Sequence, residues 1–172
     1  MKRLLLVMAL LLPLLAQAQN AQVAQIRKQY AEAKQHVADA ERLQKEGQPG
    51  YILTVTNSYQ MPGCGPTNET IHYYYNGRYE EEVETVVYQP YLITRQSNVA
   101  ANKFYQEFLF DKDGNTTFFF EKMNADETRY YYASSGLVHE IVKGQRQMDD
   151  VFALRLATDL KEAFDKLMNR NY

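Results

Sequence analysis

Three triplets, each running into a short polar turn that contains glycine, constrain this chain more than any other feature. Tyr73-Tyr74-Tyr75 precedes Asn76-Gly77, Phe108-Leu109-Phe110 precedes Asp111-Lys112-Asp113-Gly114, and Tyr130-Tyr131-Tyr132 precedes Ala133-Ser134-Ser135-Gly136. Aromatic residues favour a pleated surface, and glycine supplies the positive φ of tight hairpin turns. Residues 71–142 therefore read as an antiparallel meander of three hairpins. Within it a strand alternates faces, so Tyr73 and Tyr75 oppose Tyr74, and Tyr130 and Tyr132 oppose Tyr131. Phe118-Phe119-Phe120 repeats the duplication, so both faces of the sheet are aromatic.

What surrounds the meander is helical. Residues 20–46 are rich in Ala, Gln, Lys and Glu and lack Gly and Pro. Val23, Ile26, Tyr30, Ala33, Val37 and Ala40 step by three and four along one face. Gly47, Pro49 and Gly50 end that helix. The stripe is thin and Ala-rich. It suits packing on the chain's own sheet better than a homodimer through the N-terminal helix, the alternative use. His36 falls off the stripe and reads as a solvated residue. From Asp149 the period turns helical again, with Phe152, Leu156, Leu160, Ala163, Phe164 and Leu167 on one face and Asp149 or Asp150 as N-cap.

Between these helices, residues 51–59 alternate as a first strand. Residues 61–66 (Met-Pro-Gly-Cys-Gly-Pro) read as a loop, since two Pro and two Gly forbid regular pairing. A second strand over 69–75 turns at Asn76-Gly77, the strongest short hairpin signal in the chain. Its return, 79–88, sets Glu80, Glu82 and Glu84 on one face, which reads as a solvated row. Residues 95–102 read as a connection, and strands follow at 103–110, 116–123, 127–132 and 137–142. The expectation is an α+β fold: an N-terminal helix, a curved antiparallel β-meander of about seven to eight strands, and a C-terminal amphipathic helix packed on the sheet.

The first eighteen residues stand apart. Met1-Lys2-Arg3 is basic, residues 4–15 are apolar, and Ala16-Gln17-Ala18 is a small-x-small cleavage site. This predicts a signal peptide over 1–18, then a single domain made of the helix at 19–47 and the sheet with its C-terminal helix at 48–172. The apolar run is short for a membrane span, so none is expected in the mature chain. No cysteine sits at the cleavage point, which points to an exported periplasmic or secreted protein and not a lipoprotein. Removing Lys2 and Arg3 lowers the basic count from 19 to 17 against 21 acidic residues, a net charge near −4. That balance offers no basic footprint for nucleic acid.

The hairpin grammar of Tyr-Tyr-Tyr-Asn-Gly at 73–77 and Leu-Phe-Asp-Lys-Asp-Gly-Asn at 109–115 resembles the MORN-variant and related β-meander repeats of bacterial exported proteins. The resemblance implies a surface for binding and no common reaction.

Candidate chemistry is sparse. Cys64 is the only cysteine, which excludes an intramolecular disulfide. It is the candidate reactive thiol, with His72 or His139 as a base. No nucleophile signature surrounds it, and no catalytic set is assigned. Asp111, Asp113 and Asn115 match the opening spacing of a calcium loop, but Gly114 comes two positions early and no distal Glu follows in register. Local turn chemistry accounts for them better, so no metal and no cofactor is expected. The leading expectation is a non-enzymatic exported binding module whose Tyr-rich sheet face, Tyr73, Tyr74, Tyr75, Tyr130, Tyr131 and Tyr132, takes a protein or cell-envelope ligand. The first alternative is a periplasmic carrier of an apolar small molecule, a half-barrel closed by helices. The second is a small Cys64-dependent enzyme.

Overall fold

A computed structural model of the chain describes residues 2–63, 65–81, 84–100 and 102–169, leaving aside the side chains of residues 2–16 and Met61. The element order is α1 (Lys2–Lys45), β1 (Ile52–Met61), β2 (Gly65–Glu80), β3 (Thr85–Val99), β4 (Asn102–Phe110), β5 (Thr116–Met123), β6 (Asp126–Ala133), β7 (Gly136–Lys143) and α2 (Asp150–Met168). The strands form one seven-stranded sheet in sequence order, every neighbour antiparallel. The fold is the expected α+β meander with a helix at either end. The meander leaves β1 and β7 as its two edges.

Each helix takes one face of the sheet. α1 lies across the strands. Its Gln19 reaches Val138 in β7, Arg27 meets Tyr131 in β6, and Tyr30 packs on Phe118 in β5. Farther along, Lys34 bonds Glu107 in β4, His36 lies against Tyr91 in β3, and Glu41 accepts from the Tyr74 hydroxyl in β2. Val23, Ile26, Ala33 and Val37 are buried, as their spacing predicts. Gly47 closes the helix at φ +74°, with Gln48 N–H bonding the Leu43 carbonyl, an αL cap that glycine adopts without strain. The helical backbone is continuous from Lys2 to Lys45, and the described contacts with the sheet begin at Gln19.

α2 covers the opposite face. Asp149 caps it by accepting from Phe152 N–H at 2.7 Å. Its buried stripe is Ala153, Ala157, Leu160 and Phe164, so the expected stripe is rotated and Phe152 and Leu167 face solvent. The sheet explains the rotation. Phe108, Phe119, Tyr130 and Tyr132 fill that face, and alanine lets the helix axis approach rings that already occupy the space. Each end of α2 is pinned. The hydroxyl of Tyr130 donates to the Met148 carbonyl at 2.6 Å, and Asn169 exchanges two hydrogen bonds with the Tyr88 backbone.

Three strand readings need correction. The loop expected at 61–66 is shorter, since Met61 pairs with Gly65 and Gln60 with Pro66 at the meeting of β1 and β2. Asn76-Gly77 is no turn: β2 runs through it to Glu80, pairing Asn76 with Gln89 and Gly77 with Tyr88. Gly77 lacks positive φ, and a Cβ there would stand 3.0 Å from Val86 and 3.2 Å from the Tyr88 ring. The glycine makes room for cross-strand side chains instead of bending the chain. The strands part after the Glu80–Thr85 pair, where Glu81 and Glu84 are in turn conformation, Glu84 at φ +50°. There closely spaced carboxylates reach water, which a ladder of like charges opposes. Glu80 and Glu84 therefore share no strand face, and Glu82 lies outside the described residues. Residues 95–99 are likewise no connection but the end of β3, which turns at Ala100 (φ +53°). Their inward positions are polar, Arg95 and Ser97, so no apolar alternation announces the strand. A bulge at Tyr74/Tyr75 faces Pro90, which lacks a ladder donor.

Candidate functional site

The strand faces place the six candidate tyrosines apart. Tyr73, Tyr130 and Tyr132 lie under α2, and Tyr74 and Tyr131 under α1, all five buried. Tyr75 alone is half-buried. The predicted alternation is therefore correct, and both faces it creates serve as core.

Tyr75 opens onto a different aromatic surface. β2 and β3 extend past their neighbours as a two-stranded arm, since β1 begins opposite Tyr74 and β4 ends opposite Leu92. On the α2 side of this corner Tyr51 meets Tyr75 edge-on at 5.6 Å, and Tyr75 meets Tyr88 edge-on at 5.5 Å. The Tyr88 ring lies over Gly77 beside Val86, and Val86 sits opposite Tyr79. Tyr51 and Tyr79 are 52 % and 60 % exposed, and Val86 is also open. The result is one continuous patch from Tyr51 to Tyr79, anchored beneath by Phe164 at 5.4 Å from Tyr75 and by Asn169 on the Tyr88 backbone. Burial, with Tyr88 and Tyr51 close by, holds the Tyr75 phenol above its ordinary value. The Tyr75 hydroxyl is therefore neutral at neutral pH. Offset rings with polar tips are suited to a surface that is half wet and half apolar.

Two carboxylates sit deeper. Glu107, on the α1 side, accepts from the hydroxyls of Tyr30 and Tyr105 and from Lys34 Nζ at 2.8 Å. Burial first, then the bond to Glu107, pushes both phenols up. On the α2 side a ladder crosses four strands. Arg95 donates to Glu69 and, at 2.8 Å, to Gln106, and Gln106 donates to Glu121 Oε2 at 2.6 Å. Glu121 is 2 % exposed and its Oε1 is unpartnered. Burial pushes its carboxyl up against the lowering pull of Gln106 and Arg95. The sequence pattern hid all of these, because polar residues at inward positions look like breaks in a strand.

The remaining candidates do not converge. His72 bonds Thr54 at 3.0 Å on β2, and His139 packs on Tyr131 on β7. Five strand spacings separate them, about 24 Å at ~4.8 Å each. Cys64 lies outside the described residues. Asp111 accepts from Asp113 N–H and Asn115 N–H at 2.9 and 2.8 Å, the local turn bonding expected of it, around Gly114 at φ +79°. Among the described residues no three His, Cys, Asp or Glu side chains form a group able to hold a metal. No helix of the described residues is long and apolar enough to cross a membrane. No family model, curated protein or solved structure matches the chain.

Proposed function

We propose that this chain is an exported, non-enzymatic binding module, and that its ligand surface is the Tyr51–Tyr75–Tyr88–Val86–Tyr79 patch, used for a protein partner. The observation that carries the reading is the exposure of Tyr51 and Tyr79 at the two ends of a ring cluster whose middle is fixed from below. Tyrosines held in place lose little freedom on binding and dominate protein interfaces. The arm also projects them beyond the body of the sheet. Export rests on the basic–apolar–small leader of residues 1–18.

The test pairs capture with substitution. Wild-type protein and a Tyr51→Ala/Tyr79→Ala double variant are immobilised and exposed to the envelope fraction of the source cell. Both substitutions fall on exposed rings, so the variant keeps its fold. A partner retained by wild type and weakened at least ~10-fold by the variant, about 1.4 kcal/mol, supports the patch. Equal retention by both proteins sinks it. The intact mass of the exported protein, expected to begin near Gln19, checks the leader.

A further inference from the structure

The two edges of the sheet are treated differently. An edge strand leaves every second N–H and C=O pointing outward, and natural sheets guard such edges with charge, proline, bulges or a cover. β7 is guarded. It carries Glu140 and Lys143, and the Gln19 amide of α1 bonds its Val138 carbonyl. β1 has none of these devices. Ile-Leu-Thr-Val-Thr-Asn-Ser-Tyr-Gln-Met contains no charge, no Pro and no Gly, and its ten positions pair with β2 without a register shift. Thr54 and residues 56–60 are exposed, and Thr56, Asn57 and Gln60 make no side-chain hydrogen bond among the described residues.

We infer that β1 is an interface, and that its occupant is β1 of a second copy of this chain, paired antiparallel about a two-fold axis. Across such an axis a strand meets its own sequence, so a charge would face its own kind or force a specific offset. A strand of Thr, Asn, Ser and Gln meets only hydroxyls and amides, each able to donate and accept. The composition that leaves β1 open to pairing is also the one that self-pairing requires. Antiparallel pairing joins the two seven-stranded sheets into one and keeps like faces on the same side. Both aromatic patches then look in one direction, with Tyr51 of each copy at opposite ends of the new seam. The protein becomes a bivalent binder, with the gain in avidity that two linked sites bring.

Sedimentation equilibrium and native mass spectrometry of the exported protein test this, with reductant present so that Cys64 forms no intermolecular disulfide. The expected result is a two-chain mass at micromolar concentration, with the outward-pointing amides of residues 54–60, every second one, protected from exchange only at concentrations where the dimer forms. Thr56→Lys/Ser58→Lys, placing like charges on the exposed edge, is expected to give a single-chain mass with an unchanged circular dichroism spectrum. Thr56→Ser/Ser58→Thr, which keeps the hydroxyls, is expected to remain dimeric. A single chain at about 100 µM wild-type protein overturns the inference. So does a dimer that survives the two lysines, since its contact then lies elsewhere, on α1 for instance.

Discussion

The two faces of the sheet are covered by helices that hold on in different ways. Under α2 the contact is steric: Phe164 tilts against Tyr73 and Tyr75 at 5.4 Å, and Ala153 and Ala157 let the helix sit close to the rings of β4 to β6. Under α1 the apolar contribution is four small or branched side chains and the Tyr30 ring, and the rest is polar. Tyr30 and Lys34 bond Glu107, Glu41 takes the Tyr74 hydroxyl, and Arg27 lies over the Tyr131 ring at 5.4 Å. Apolar packing is non-directional and scales with area, whereas a buried hydrogen bond matters most when one partner is removed. One face should therefore fail by cavities and the other by orphaned polar groups.

Phe164→Ala should produce the largest effect. Phe164 is fully buried, and truncation costs about 3–5 kcal/mol through lost transfer energy and the cavity left behind. Chemical denaturation reads the loss directly. A cost below about 1 kcal/mol would mean that α2 is not the main clamp.

Glu107→Ala should come next, at about 2 kcal/mol, because it leaves two phenols and an ammonium without their shared acceptor. Amide exchange should quicken in residues 20–45 and not in α2. Equal loss of protection in both helices would erase the distinction between the faces.

Glu121→Gln should have the smallest effect and the opposite sign. Burial holds this carboxyl above its ordinary value of 4.5, so above that pH the unfolded chain gives up a proton that the folded chain retains. Stability then falls as pH rises through that window. The amide removes the fall. At pH 7 the variant should melt higher by a few degrees, on the order of 1 kcal/mol, and at pH 4 the two should coincide. A variant less stable than wild type at pH 7 would make Glu121 an asset of the ladder.

Much of this was legible in the chain. Val23, Ile26, Ala33 and Val37 announced the buried face of α1 by spacing alone, and Asp111 to Gly114 and Ser134 to Gly136 announced their turns by composition. The failures share one cause, which is that local signals ignore what lies across the strand. Asn76-Gly77 looks like a turn until Tyr88 is placed over Gly77, and Arg95 looks like loop until Gln106 and Glu69 flank it. The aromatic patch was missed because Tyr51, Tyr79 and Tyr88 lie far apart in sequence and belong to no triplet.

By itself the sequence determined the element types, the alternation of the aromatic triplets and the caps of both helices, because these depend on residues within a few positions of one another. Only the tertiary structure decided which face each helix covers, and hence that five of the six tyrosines are core while Tyr75 joins an exposed patch. That choice depends on where α1 and α2 dock, for α1 on strands more than a hundred residues away, and no local period encodes it. The unguarded edge was likewise a property of β1's composition that acquired meaning only when the meander left that strand without a neighbour.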